Sequence, residues 1–162
     1  YGIYTGYELV ENVPRPGVEE QIDNEKYEFK PRDWSQTGNF GVQEVLERLN
    51  AARARHVALR RLRGLTVHKS TNDNILCFTR HVPADQSPTG KADTVIVVAS
   101  LDPHHTQNAL ITLDMAALDL TDDVRLVVDD ALTDETFAWG QEFYVELGPE
   151  TTMAHVAGVR GL

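Results

Sequence analysis

The sequence predicts a mixed α+β chain. One strand–loop–helix unit of the kind that ends a (β/α)8 barrel is followed by an all-β antiparallel sandwich over residues 64–162. Three observations carry this expectation. The opening run Tyr1–Leu9 is apolar and aromatic, as a buried strand is. Val42, Val45, Leu46 and Leu49 recur at helical spacing. Beyond Gly64, short β-forming stretches alternate with turn residues as far as Val159.

The opening strand, Tyr1-Gly2-Ile3-Tyr4-Thr5-Gly6-Tyr7-Glu8-Leu9, holds two glycines, which suit a close approach to the backbone. It begins without methionine and is apolar at once, where chain termini are ordinarily polar and frayed. The chain is therefore expected to be the C-terminal piece of a longer polypeptide. The stretch from Glu11 to Gln36 is polar, carries Pro14, Pro16 and Pro31, and lacks periodicity. A connection of that length inside a compact domain is usually functional. Barrels carry their chemistry on loops leaving the C-terminal ends of their strands, where this loop would stand. In the helix that follows, Glu44 precedes Arg48 by four residues, the favourable order for a side-chain pair. A second short helical stretch, Val57–Leu62, stops at Gly64.

Eight strands are expected after that glycine: Leu65–His68, Asn74–Arg80, Thr94–Ser100, Leu110–Leu113, Val124–Val128, Thr136–Ala138, Phe143–Leu147 and Thr152–Val159. Asn72-Asp73, Pro88-Thr89-Gly90, Asp122-Asp123 and Gly148-Pro149 separate them as turns. Many short strands with little helix between them form a sandwich. The expected domain division is residues 1–63 and 64–162.

Composition narrows the function. With 162 residues the chain is too short for a complete (β/α)8 barrel, which needs about 250. One cysteine, Cys77, excludes an internal disulfide and fits a reducing compartment. No apolar run approaches the roughly 18 residues of a membrane span. The net charge of −10 is unevenly placed: residues 1–100 balance thirteen acids with thirteen bases, whereas residues 101–162 hold twelve acids against Arg125 and Arg160. An acidic surface repels phosphates, which argues against nucleic acid and anionic membrane as partners there.

Residue types give several candidates. Lys26 offers three ammonium donors and Tyr27 an aromatic face with a hydroxyl, a pair suited to sugar hydroxyls or a phosphate; a solvated lysine beside a packed tyrosine is the plainer reading. Glu8 and Glu11 are carboxylates at the strand mouth, expected to hydrogen-bond within the barrel rim, or in the case of Glu11 to lie in solvent, rather than act as acids. His104, His105 and His155 lack a companion ligand at zinc spacing, so no metal is expected. The arginines from Arg48 to Arg63 lack the interleaved aromatics of a nucleic-acid site and suit helix C-termini instead. Trp34, Trp139, Phe143 and Tyr144 are candidates for a glycan platform, with Trp139 and Phe143 expected in the core. Cys77, between Leu76 and Phe78, reads as a small buried hydrophobe.

Longer motifs carry a resemblance. Tyr1-Gly2-Ile3-Tyr4, Gly6 and Glu8-Leu9 resemble the eighth barrel strand of α-amylase-type enzymes. Glu25-Lys26-Tyr27, Pro31-Arg32-Asp33-Trp34, Arg48-Leu49-Asn50, Leu101-Asp102-Pro103-His104-His105-Thr106-Gln107 and Leu113-Asp114-Met115 resemble, more narrowly, the GlgE-type maltosyltransferases of that superfamily. So do Leu132-Thr133, Glu135-Thr136, Trp139-Gly140 and Ala154-His155-Val156. Val57 and Ser100 depart from the family pattern, which has proline and asparagine there. The resemblance implies the end of a retaining glycosyltransferase that moves maltosyl units from α-maltose 1-phosphate to the non-reducing end of an α-1,4-glucan, releasing phosphate. Such chemistry needs two carboxylates about 5–5.5 Å apart. In this family they lie on earlier barrel strands, so no catalytic residue is expected in this chain and it is expected to be inactive alone. The resemblance assigns Lys26 and Tyr27 to the donor, requires no metal or organic cofactor, and implies a cytoplasmic bacterial homodimer. The alternative from another class is a carbohydrate-binding β-sandwich module of an amylase-type hydrolase, which leaves the aromatic opening without a purpose.

Overall fold

The computed structural model describes residues 2–22, 29–39 and 41–161. The chain divides into two compact units, Tyr1–Glu47 and Arg48–Leu162.

In the first unit the expected opening strand is not formed. Residues 2–4 have no regular structure, and Tyr7–Leu9 makes a single 3-10 turn between the left-handed residues Gly6 (φ 102°) and Val10 (φ 52°). The physical reason is pairing. An extended segment leaves its N–H and C=O groups open unless a neighbouring strand takes them, and every strand in the two sheets begins at or after Leu65. The turn satisfies the groups locally: the N–H of Tyr7 donates to the Tyr4 carbonyl (3.1 Å), and that of Leu9 to the Gly6 carbonyl (3.1 Å). Beyond it, Pro14 and Gln21 form an isolated bridge, and Trp34–Asn39 is a second 3-10 segment.

The expected helix is α1, Val42–Arg55, with Glu44 in its first turn and Arg53 and Arg55 in its last, both signs matching the helix dipole. The stretch expected as a second helix is shorter, a 3-10 turn over Ala58–Arg60. It ends at Arg60, with Arg61 already extended, so Gly64 (φ 76°) does not stop it as expected but stands immediately before the first strand.

The second unit is the sandwich. Nine strands are described: β1 (Leu65–Val67), β2 (Lys69–Ser70), β3 (Ile75–Val82), β4 (Asp93–Ser100), β5 (Gln107–Thr112), β6 (Leu126–Asp130), β7 (Thr136–Trp139), β8 (Glu142–Leu147) and β9 (Ala154–Val159). They form a six-stranded sheet, β1-β3-β4-β9-β6-β7, and a three-stranded sheet, β2-β5-β8, with every pairing antiparallel. The expected first strand is broken at His68, so its residues serve both sheets. Alternation drives the layering. On β8, Phe143, Val145 and Leu147 are buried while Glu142, Tyr144 and Glu146 face solvent. The core between the sheets holds Ile75, Cys77, Ile96, Val98, Ile111, Leu113, Leu126, Val128, Trp139 and Phe143 among others. Burial of that kind contributes roughly 1.5–3 kcal/mol for each large side chain. A second cluster joins Ala52 and Leu49 of α1 to Val95 and Val156, so the C-terminal turns of the helix cover the opposite face of the six-stranded sheet.

Candidate functional site

Lys26 and Tyr27, the expected donor-binding pair, lie outside the described residues. The described parts of their loop are organised around Glu11. Its carboxylate accepts two hydrogen bonds from Arg32, Nε at 3.0 Å and Nη2 at 3.1 Å, and one from Gln21 Nε2 at 3.3 Å. Lys30 Nζ stands 3.4 Å from the same carboxylate. Hydrogen bonding from Arg32 holds the Glu11 carboxyl below the usual range, against the opposing effect of burial. Gly6 makes room for this clamp, because a Cβ there would stand 2.2 Å from Glu11 Oε2. The clamp ties the two ends of the loop together across residues 11 and 32, and it keeps Glu11 ionised. Glu11 is therefore held by side chains of its own loop rather than lying free in solvent. Glu8 keeps one buried carboxylate oxygen, Oε2, without a hydrogen-bond partner. Further along, Asp33 accepts from the backbone and hydroxyl of Ser35 and orders the start of the Trp34–Asn39 segment. Trp34 itself is half exposed.

In the sandwich the histidines serve turns and packing. Asp102 accepts from the backbone N–H of His104 (2.9 Å) and His105 (3.2 Å), from His105 Nδ1 and from Gln107. The His104 N–H leads this set, which lowers the Asp102 carboxyl to about 2. Ser100 closes the turn that follows it: its hydroxyl donates to the Asp102 carbonyl (3.1 Å) and accepts the Asp102 N–H (3.3 Å). His155 is buried with Asp130, its Nδ1 2.8 Å from Oδ2. Among the described residues no group of three or more His, Cys, Asp or Glu side chains is placed to hold a metal ion. Cys77 is buried, and burial pushes its thiol up to about 12, which keeps it from acting as a nucleophile.

The aromatic candidates separate. Trp139 and Phe143 are in the core, stacked with ring centroids 4.2 Å apart. Tyr144 points to solvent, 60 % exposed, and borders an open cleft of about 520 Å³. The cleft is built from the turn before β6 (Asp122–Arg125), the end of β7 and the start of β8. Sequence reading identifies Tyr144 as an aromatic candidate but not this cleft, whose walls come from stretches that only sheet pairing brings together.

The residues that form the two-sheet antiparallel sandwich are also those that a family model matches. The chain belongs to the family described as "GLGE, C-terminal", which it matches over residues 67–159. It is 49% identical over 160 residues to the alpha-1,4-glucan:maltose-1-phosphate maltosyltransferase of Bifidobacterium longum, covering 99% of this chain and 21% of that protein. The enzyme of the same name from Arcanobacterium haemolyticum is 42% identical over 166 residues, covering 100% of this chain and 24% of that protein. That of Mycobacterium tuberculosis is 39% identical over 159 residues, covering 96% and 22%. The chain thus spans between a fifth and a quarter of the length of these relatives.

Proposed function

We propose that this chain is the C-terminal part of a retaining maltosyltransferase that takes α-maltose 1-phosphate as donor and extends the non-reducing end of an α-1,4-glucan, releasing phosphate. The observation that carries the proposal is likeness along essentially the whole chain, first unit included, to proteins bearing that name. On this reading residues 1–63 complete a catalytic (β/α)8 barrel and residues 64–162 form the sandwich beside it. The nucleophile and acid/base carboxylates belong to the barrel strands outside this chain, so the 162 residues alone do not turn over. Lys26 supplies a cation and Tyr27 a ring and hydroxyl to the donor's phosphate and sugar. The assembly is a homodimer of the bacterial cytoplasm.

Phosphate release from α-maltose 1-phosphate with maltohexaose as acceptor, measured on the complete polypeptide, tests this. Lys26→Ala is expected to raise KM for the donor about tenfold, the loss of one charge-assisted hydrogen bond, with kcat less affected. Absence of phosphate release rejects the activity, and an unchanged donor KM rejects the role of Lys26.

A further inference from the structure

We infer that a small cleft at the start of the sandwich, walled by Arg61, Arg63, Thr66, His81 and Gln86, binds a free inorganic phosphate ion. Its cations come from a stretch whose charge is otherwise unused. Residues 57–70 carry Arg60, Arg61, Arg63 and Lys69 and no acid. Their sequence suggests a role at helix C-termini, but α1 ends at Arg55 and the 3-10 turn at Arg60, so Arg61 and Arg63 lie past both. Neither forms an ion pair with a carboxylate among the described residues. In a chain with 25 acids, two guanidiniums on one cleft that meet none of them point to an anion from outside.

The walls are brought together by the sheet. The run from Arg61 to Gly64 leads into β1, which carries Thr66, and β1 lies antiparallel to β3, which ends at His81 and Val82. The turn Ala84–Gln86 follows. It also places Arg61, because the Gln86 carbonyl accepts a hydrogen bond from Arg61 Nη2. A guanidinium has five N–H donors, so others remain for a ligand. The Thr66 hydroxyl and the Gln86 side-chain amide have no hydrogen-bond partner among the described residues and add neutral donors. His81 is a wall and not a ligand: its Nδ1 stands 2.7 Å from Thr94 Oγ1 and its Nε2 3.3 Å from Asp119 Oδ2. The Asp119 side chain is largely exposed, so water and salt screen its charge.

Size and charge select the ligand. The cleft holds about 210 Å³, below the roughly 300–1,000 Å³ of sites for larger organic ligands. That suits one tetrahedral ion better than a nucleotide or a sugar phosphate. Guanidinium donors form a rigid fork that takes phosphate oxygens in pairs, which chloride cannot reproduce. The acidic part of the chain stands back: of the lining residues only Ala117 comes from residues 101–162, where the net charge of −10 resides. Repulsion of phosphate by that part therefore does not act from the walls of this cleft.

The experiment is titration of the 162-residue chain with sodium phosphate, ionic strength held constant with sodium chloride, followed by phosphorus NMR line width and by the thermal midpoint. The parent is expected to bind with a Kd on the order of 1 mM, the level of two charge-assisted contacts. Its midpoint is expected to rise in phosphate relative to chloride. Arg63→Gln, at an exposed position, is expected to weaken binding about tenfold and to keep the parent's midpoint in chloride. The double variant Arg61→Gln/Arg63→Gln is expected to lose binding. Arg125→Gln removes the same charge elsewhere on the sandwich and is expected to leave Kd unchanged. No line broadening up to about 20 mM phosphate, or Arg63→Gln binding equal to the parent's, overturns the site. Equal weakening by Arg125→Gln overturns it in favour of net charge alone. Glycerol phosphate separates the free ion from an esterified one. Binding no tighter than that of inorganic phosphate supports the free ion, and binding about tenfold tighter overturns that assignment.

Discussion

His68 sits where the first sandwich strand breaks between the two sheets, buried, and its ring is satisfied at both nitrogens. Nδ1 accepts the backbone N–H of Asp114 at 3.0 Å, which leaves Nε2 as the protonated nitrogen donating to Thr79 Oγ1 at 2.9 Å. A proton on Nδ1 would break the first of these bonds. Burial lowers the pKa of His68, with the Asp114 charge opposing it only in part. The sign follows. The unfolded chain, with His68 near 6.5, binds a proton more readily than the native state, so this residue's contribution is complete above about pH 6.5 and is lost as pH falls through the lowered native value. Asp130 acts lower on the scale. Burial raises its carboxyl, but bonds from His155, the Val156 N–H, Thr133 and the Leu132 N–H outweigh that and leave it below the usual value. Its contribution is present above about pH 3.9 and is lost below it. Urea unfolding followed from pH 8 to pH 3 is expected to show both losses. His68→Asn keeps an acceptor for the Asp114 N–H, and the difference between parent and variant is expected to flatten the upper slope alone.

Strand β1 depends on the glycine that precedes it. Gly64 holds φ 76° and brings its carbonyl to the His81 N–H at 2.8 Å, which sets the register of β1 on β3. A Cβ there would lie 2.1 Å from the His81 carbonyl oxygen, a rigid backbone atom. Gly64→Ala therefore combines left-handed strain with overpacking and is expected to destabilise the sandwich by about 3 kcal/mol, read from the shift of the urea midpoint at unchanged slope. The same dependence on partners explains the opening segment. Ile3, Tyr4 and Tyr7 have the composition of a strand, yet they stand exposed around a 3-10 turn, because β-propensity describes packing on a sheet and does not create one. By contrast α1 forms where its spacing predicts, since a helix completes its hydrogen bonds within itself.

Net charge belongs to the chain entire. At −10 and a sequence pI near 4.9, the chain carries a net negative charge at neutral pH that opposes non-specific association. Its solubility is expected to pass through a minimum near pH 4.9, measured as protein left in the supernatant across a pH series, and to recover on either side. Much of the layered architecture could be read from the residues. Alternation placed the strands from Leu65 onward to within a few positions and put Trp139, Phe143 and Cys77 inside, because the period of two is a local property. The motifs around Leu101-Asp102-Pro103-His104-His105 and Leu113-Asp114-Met115 led to the family without any coordinates. What folding alone decided is which distant groups meet. Glu11 finds Arg32, His68 bridges Thr79 and Asp114, Asp130 takes His155, and Tyr144 gains the wall of Asp122–Arg125. Hydrogen-bond partners and cleft walls depend on through-space geometry set by sheet order, and neither spacing nor composition along the chain encodes that directly.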